Sequence, residues 1–135
     1  MKIFIQYKLL VLLLLSAVSY SQITNTVVKA KIEMEEIEGN LKITGTAENL
    51  SDILQSLTYT LSVIRKSNVN DNQSSNSQEG IVTLNPSETK KLSETQINLE
   101  KEVEIIVLLL FYDENKQMIG KDRIVIGEEK KKRRS

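Results

Sequence analysis

A period of two runs through most of this chain and constrains it more than any other feature. In Leu57 to Lys66, Tyr59, Leu61 and Val63 fall on one side while Thr58, Thr60 and Ser62 fall on the other, the alternation of a strand with one buried face. Leu54, Leu57 and Leu61 also fit a helical spacing, but Thr58, Tyr59, Thr60, Val63 and Ile64 are β-branched or aromatic residues suited to a pleated surface. Earlier, Val28, Ala30, Ile32 and Met34 alternate with Lys29, Lys31, Glu33 and Glu35. Leu41, Ile43, Gly45 and Ala47 form the inner face of a return strand, and Glu38-Gly39-Asn40 between the two runs reads as a hairpin turn. Asn49 to Ser56 reads as a loop or a helical turn.

After Lys66 the polar stretch Ser67 to Glu79 reads as a long loop, followed by a short strand near Gly80 to Leu84. The single proline sits in Asn85-Pro86-Ser87-Glu88, a turn with Pro at its second position. Lys90 to Leu99 carries Leu92, Ile97 and Leu99, whose change of parity marks a bulge. Glu102 to Asp113 contains IIVLLLFY, a continuous apolar run expected of a strand covered on both faces and central in its sheet. Asp113 to Lys116 turns the chain into a last strand, Gln117 to Ile126, where Gly120 eases a twist or bulge. About seven short strands at this spacing predict an all-β fold, an immunoglobulin-like antiparallel β-sandwich.

Two terminal segments stand apart. Lys2 and Lys8 precede the apolar run Leu9 to Leu15, and small residues follow at Ser19 and Ser21, which is the layout of a signal peptide over residues 1–21. The apolar run is far short of the roughly 20 residues a membrane span needs, so stable membrane insertion is not expected. A periplasmic, exported domain over residues 22–129 follows, about the usual size of one domain, with a basic tail at 130–135. That tail holds Lys130, Lys131, Lys132, Arg133 and Arg134, whereas residues 23–129 are acidic, with 11 basic against 18 acidic side chains. The tail reads as a solvated end, and export disfavours nucleic acid as its partner.

The 135 residues contain neither His nor Cys. The usual general base, the common zinc ligand and the best thiol nucleophile are thus absent, along with any disulfide. No serine lies in a G-x-S-x-G elbow or an S-x-x-K element. The five glycines are scattered singly rather than gathered in a phosphate-binding loop. Asp113 with Glu114 and Glu128 with Glu129 are neighbours in a turn and a tail, without the burial that separates paired carboxylates into acid and base. An enzyme is not expected, nor any cofactor or metal. The sequons Asn49-Leu50-Ser51 and Asn72-Gln73-Ser74 are taken as chance.

The Y-x-L-x-V strand of Tyr59, Leu61 and Val63, followed by Ser75, Ser77, Gln78 and Gly80, then Leu84, Pro86 and Glu88, then Leu92, Ser93, Ile97 and Asn98, resembles the CsgH and CsgC family of curli chaperones. The resemblance spans roughly Val27 to Ile126 and falls on the CsgH branch, since the paired cysteines of the CsgC branch are missing. It implies a monomeric periplasmic chaperone that keeps curli-type amyloid subunits from polymerising before export. The client contact is then expected at Arg65 and Lys66, which end the Y-x-L-x-V strand, and at Gln73, Ser75, Ser77 and Gln78 of the polar loop. The competing reading is a secreted adhesion or assembly module, because fold alone does not define function.

Overall fold

A computed structural model describes residues 23–70, 72–100 and 102–127. Its seven strands are β1 (Val28–Ile37), β2 (Asn40–Asn49), β3 (Gln55–Ser67), β4 (Gln73–Leu84), β5 (Thr89–Asn98), β6 (Val103–Tyr112) and β7 (Met118–Ile126). All pairings are antiparallel, in a three-stranded sheet of order β1-β2-β5 and a four-stranded sheet of order β4-β3-β6-β7. The chain changes sheet at the β2–β3, β4–β5 and β5–β6 connections, so neither sheet can form from consecutive hairpins alone. The leader and the basic tail expected from the sequence lie outside the described residues.

Local chemistry accounts for the turns. Glu38 and Gly39 both have positive φ, 49° and 83°, the two-residue hairpin geometry that favours glycine. The Asn85 turn has Pro86 at its second position and a positive φ of 64° at Ser87, closed by the Glu88 N–H donating to the Asn85 carbonyl at 3.0 Å. The Asp113 carboxylate accepts the Asn115 and Gln117 N–H groups, each at 2.9 Å, and sets the β6–β7 turn.

Alternate residues of the two sheets meet in one core. Val28, Ala30 and Ile32 of β1, Leu41, Ile43 and Ala47 of β2, and Leu84 of β4 are buried against Leu57, Leu61 and Val63 of β3 and Ile105, Val107, Leu109 and Phe111 of β6. Leu61 and Leu109 are register partners. Gly45 of β2 makes room for them, since a Cβ there would lie 3.3 Å from Leu109 Cδ1. Tyr59 is half-buried rather than fully enclosed, because its hydroxyl donates to the Leu92 carbonyl of β5 at 3.2 Å and ties the two sheets together.

Two expectations fail here. The stretch expected to be a long loop is a loop only to Asn72, and β4 starts at Gln73, so the short strand near Gly80 has 12 residues. Its polar residues have low β-propensity, but that preference yields to context. Cross-strand pairing on β3 supplies the context, including hydroxyl contacts between Ser62 and Ser77 at 2.9 Å and between Ser56 and Thr83 at 3.1 Å. Secondly, β6 is central in its sheet but not covered on both faces. Ile105, Val107, Leu109 and Phe111 are buried, whereas Ile106, Leu108, Leu110 and Tyr112 are half-buried on the outer face.

The expected bulges are present: the β2–β5 register shifts between Gly45 and Thr46, opposite Leu92. The β6–β7 register shifts between Phe111 and Tyr112, one residue before Gly120 on the facing strand. Asn49, which the sequence marks only as a sequon at the start of a loop, is buried at 1% exposure. Its amide Nδ2 reaches the Ile53, Leu84 and Asn85 carbonyls at 2.8, 3.2 and 3.1 Å. Its Oδ1 accepts from the Ser51 N–H and hydroxyl, so this sequon asparagine has no free amide to modify.

Truncating Leu61 or Leu109 to Ala should each cost about 2–5 kcal/mol in chemical denaturation, by loss of burial and the cavity left. Asn49→Ala should cost about 3 kcal/mol in the same measurement, because it strands buried carbonyls at the β2–β3 crossover.

Candidate functional site

The register of β3 and β4 divides the six residues expected to contact a client between two faces. Arg65 pairs with Ser74 and Leu61 with Gln78, on the side facing the three-stranded sheet. Lys66 pairs with Gln73, Ile64 with Ser75 and Ser62 with Ser77, on the outer side. The structure therefore brings Lys66, Gln73, Ser75 and Ser77 together and sets Arg65 and Gln78 behind them. Gln73, Ser75, Ser77 and Gln78 belong to a strand, not to a loop.

Arg65 is also not a free cation. Its Nη2 lies 2.7 Å from Glu100 Oε1, so the pair bridges the end of β3 to the β5–β6 connection. Lys66 is exposed and makes no ion pair among the described residues.

The outer face of the four-stranded sheet changes character from one edge to the other. Beside β4 it carries hydroxyls: Ser75 and Ser77 of that strand with Thr58, Thr60 and Ser62 of β3. On β6 it becomes apolar through Ile106, Leu108, Leu110 and Tyr112. On β7 it becomes basic, with exposed Lys121 and Arg123 opposite Leu110 and Leu108. The outer face of the three-stranded sheet is different, since Lys29 faces Glu48 and Glu35 faces Lys42 across β1 and β2. On the same face Lys91 donates to Glu94 at 3.1 Å and Lys42 lies 3.6 Å from it. The Lys91 hydrogen bond, helped by the Lys42 charge, holds the Glu94 carboxyl below the usual carboxylate range. Its stabilising contribution is present above that range and lost on acidification.

The four sheet edges also differ. On β1, the Ala30 N–H donates to Asn25 Oδ1 at 3.0 Å and the Ile32 N–H to Asp122 Oδ2 at 2.8 Å. On β7, the Ile119 carbonyl accepts the Asn25 N–H and the Lys121 carbonyl accepts Asn25 Nδ2, each at 2.9 Å. On β5, the bulge interrupts the strand and Tyr59 occupies the Leu92 carbonyl. On β4, Lys90 Nζ donates to the Thr83 carbonyl at 3.2 Å, near the strand's end. From Gln73 to Ile81 no described residue covers the outward backbone.

Among the described residues there is no group of His, Cys, Asp and Glu suited to a metal ion, and no helix long and apolar enough to cross a membrane. The described surface has one open strand edge, on β4, and one mixed face, on the four-stranded sheet.

No protein-family model matches the sequence, and no curated protein matches it. Solved structures do share the fold. The E. coli curli protein CsgC aligns with a TM-score of 0.58 at 10% identity, over 71% of this chain and 96% of that one. R. palustris CsgH aligns at 0.52 and 14% identity, over 70% of this chain and 89% of that one. Bacteroides uniformis β-glucuronidase 2 aligns at 0.54 and 13% identity, over 73% of this chain but only 14% of the enzyme. The described residues thus form a seven-stranded antiparallel β-sandwich, and their fold is similar to that of the curli proteins CsgC and CsgH over most of those chains' length.

Because the Arg65–Glu100 pair is partly exposed, Arg65→Ala should lower stability by less than about 1 kcal/mol. Proteolysis at the β5–β6 connection should accelerate, which limited digestion followed by mass spectrometry will register.

Proposed function

We propose that this protein is a periplasmic chaperone that delays the polymerisation of curli-type amyloid subunits before they leave the cell. The observation that carries the reading is the correspondence with two curli proteins across 96% and 89% of their chains, together with the residues from Tyr59 to Asn98 that resemble their family. The surface chemistry supports it: fibre growth proceeds by strand addition, and this domain combines an open strand edge with a face graded from hydroxyl to apolar to basic. Such a protein needs affinity and no catalysis. Lys121 and Arg123 lie exposed on that face, where charge contributes to the rate of encounter more than to the strength of the complex.

A second reading is favoured by one observation. The same fold occupies a 14% portion of a β-glucuronidase, so a sandwich of this kind also occurs as one part of a longer chain, which fits a secreted adhesion or assembly module. On that reading the protein holds a stable stoichiometric partner.

Polymerisation of a purified curli-type subunit separates the two. Substoichiometric protein should lengthen the lag phase without ATP, and the effect should weaken as salt shortens the screening length from about 10 Å at 0.1 M to about 3 Å at 1 M. Unchanged kinetics at an equimolar ratio with several such subunits would remove the chaperone reading in favour of the module.

A further inference from the structure

The open edge of β4 is defined by hydrogen-bond parity. Residues of an antiparallel pair alternate between those that exchange backbone hydrogen bonds and those that do not. The Ser67 N–H donates to the Asn72 carbonyl at 2.8 Å, immediately beyond the pairing of Lys66 with Gln73. Continuing that alternation turns the N–H and C=O of Ser74, Asn76, Gln78 and Gly80 toward β3. Those of Gln73, Ser75, Ser77, Glu79 and Ile81 turn away from it. The Lys90 contact to the Thr83 carbonyl confirms the parity independently, since it reaches β4 from the outside.

A row of donors and acceptors at strand spacing is matched only by another extended chain. Side chains next to this row restrict which chain. From Gln73 to Gln78 they are Gln, Ser, Ser, Asn, Ser and Gln, with no charge and no large apolar group. A charged strand laid there would lose water without gaining a partner. Amides and hydroxyls, in contrast, can continue as ladders from one strand to the next. The compatible stretch ends at Glu79, which brings a charge to the outer face.

We propose that the β4 edge between Gln73 and Glu79 takes up one extended, uncharged segment of the client rich in Asn, Gln and Ser, adding it as a fifth strand to the four-stranded sheet. This rests on the chaperone reading and gives it a contact surface. The added strand is held on a twisted sandwich edge rather than in the flatter stack of a fibre, so it is withdrawn from nucleation while bound. Charge on β7 assists the encounter but lies at the opposite edge of the sheet.

Ser75→Pro in the full chain tests the edge. Proline there removes one outward N–H and fills the space beside it, leaving the bonds to β3 in place. The melting midpoint should stay close to that of the unsubstituted protein, while the concentration needed for a given lag should rise about tenfold or more, equivalent to about 1.4 kcal/mol. Ser75→Val keeps the N–H and removes only the hydroxyl, so its loss of effect should be clearly smaller than that of Ser75→Pro.

A folded Ser75→Pro variant with undiminished effect would overturn the edge assignment and leave the chaperone reading standing. If the unsubstituted protein itself has no effect, that reading fails, and amide hydrogen exchange with a synthetic peptide of Asn, Gln and Ser decides the edge separately. Slowed exchange at Ser75, Ser77 and Glu79 supports the assignment and unchanged exchange overturns it; the same measurement serves if Ser75→Pro does not fold. A dimer of the protein alone in sedimentation, abolished by Ser75→Pro, would give the edge to a second copy and overturn the client assignment.

Discussion

Leu61 and Leu109 face each other in register on β3 and β6, and Leu109 packs so close to Gly45 that a Cβ there would lie 3.3 Å from its Cδ1. With no cysteine in the chain to form a disulfide, the two sheets depend on contacts of this kind. The pair is fully enclosed, at 1% and 0% exposure, and it sits where three strands from both sheets converge. Once β3 and β6 are aligned by it, the remaining register is determined, because a slip of one residue would turn the buried side chains outward. A second row runs across the same sheet, from Gly80 through Tyr59 and Phe111 to Gly120. There each aromatic ring lies over the neighbouring glycine, and a Cβ would come within 2.7 Å of Tyr59 and 2.6 Å of Phe111.

Alternation made the buried face of β1, β2 and β3 readable directly from the sequence, and with it the sandwich. The turns at Gly39, Pro86 and Asp113 were equally plain, because each depends on residue types with a specific backbone preference. The start of β4 reads as loop because Gln73 to Gln78 has neither alternation nor β-branched residues; its strand conformation comes from partners on β3 that lie 7 to 17 residues earlier in the chain. The outer face of β6 was misread for the opposite reason. A continuous apolar run reports that both faces are apolar, and it cannot say whether both are covered. Asn49 gave no signal because its role depends on carbonyls of Leu84 and Asn85, more than 30 residues away.

The candidate site follows the same division. Lys66 and the Ser and Gln residues of β4 are singled out by their position after the Y-x-L-x-V strand, but their facing requires the register. Arg65 differs from Lys66 by one step along the strand and is turned to the inner side, where Glu100 takes its charge. What sequence reading could not supply was the edge itself, since strand order in a sandwich is set by crossovers between sheets rather than by local pattern.

An open edge and an apolar stripe on one sheet would ordinarily make a domain prone to self-association. Here they are separated. The stripe lies on β6, which is hydrogen-bonded on both sides by β3 and β7 and offers no free backbone. The edge lies on β4, where the side chains from Gln73 to Gln78 are polar and uncharged and add little hydrophobic drive. A second strand arriving at β4 therefore gains hydrogen bonds, each worth only about 1 kcal/mol net against water, without the burial that would make the pairing persist. Weak, reversible strand capture is the expected consequence of that separation. It also explains how a chain carrying IIVLLLFY in its interior can present a strand edge to solvent and stay folded: the segment most able to drive aggregation is the one whose backbone is most completely paired.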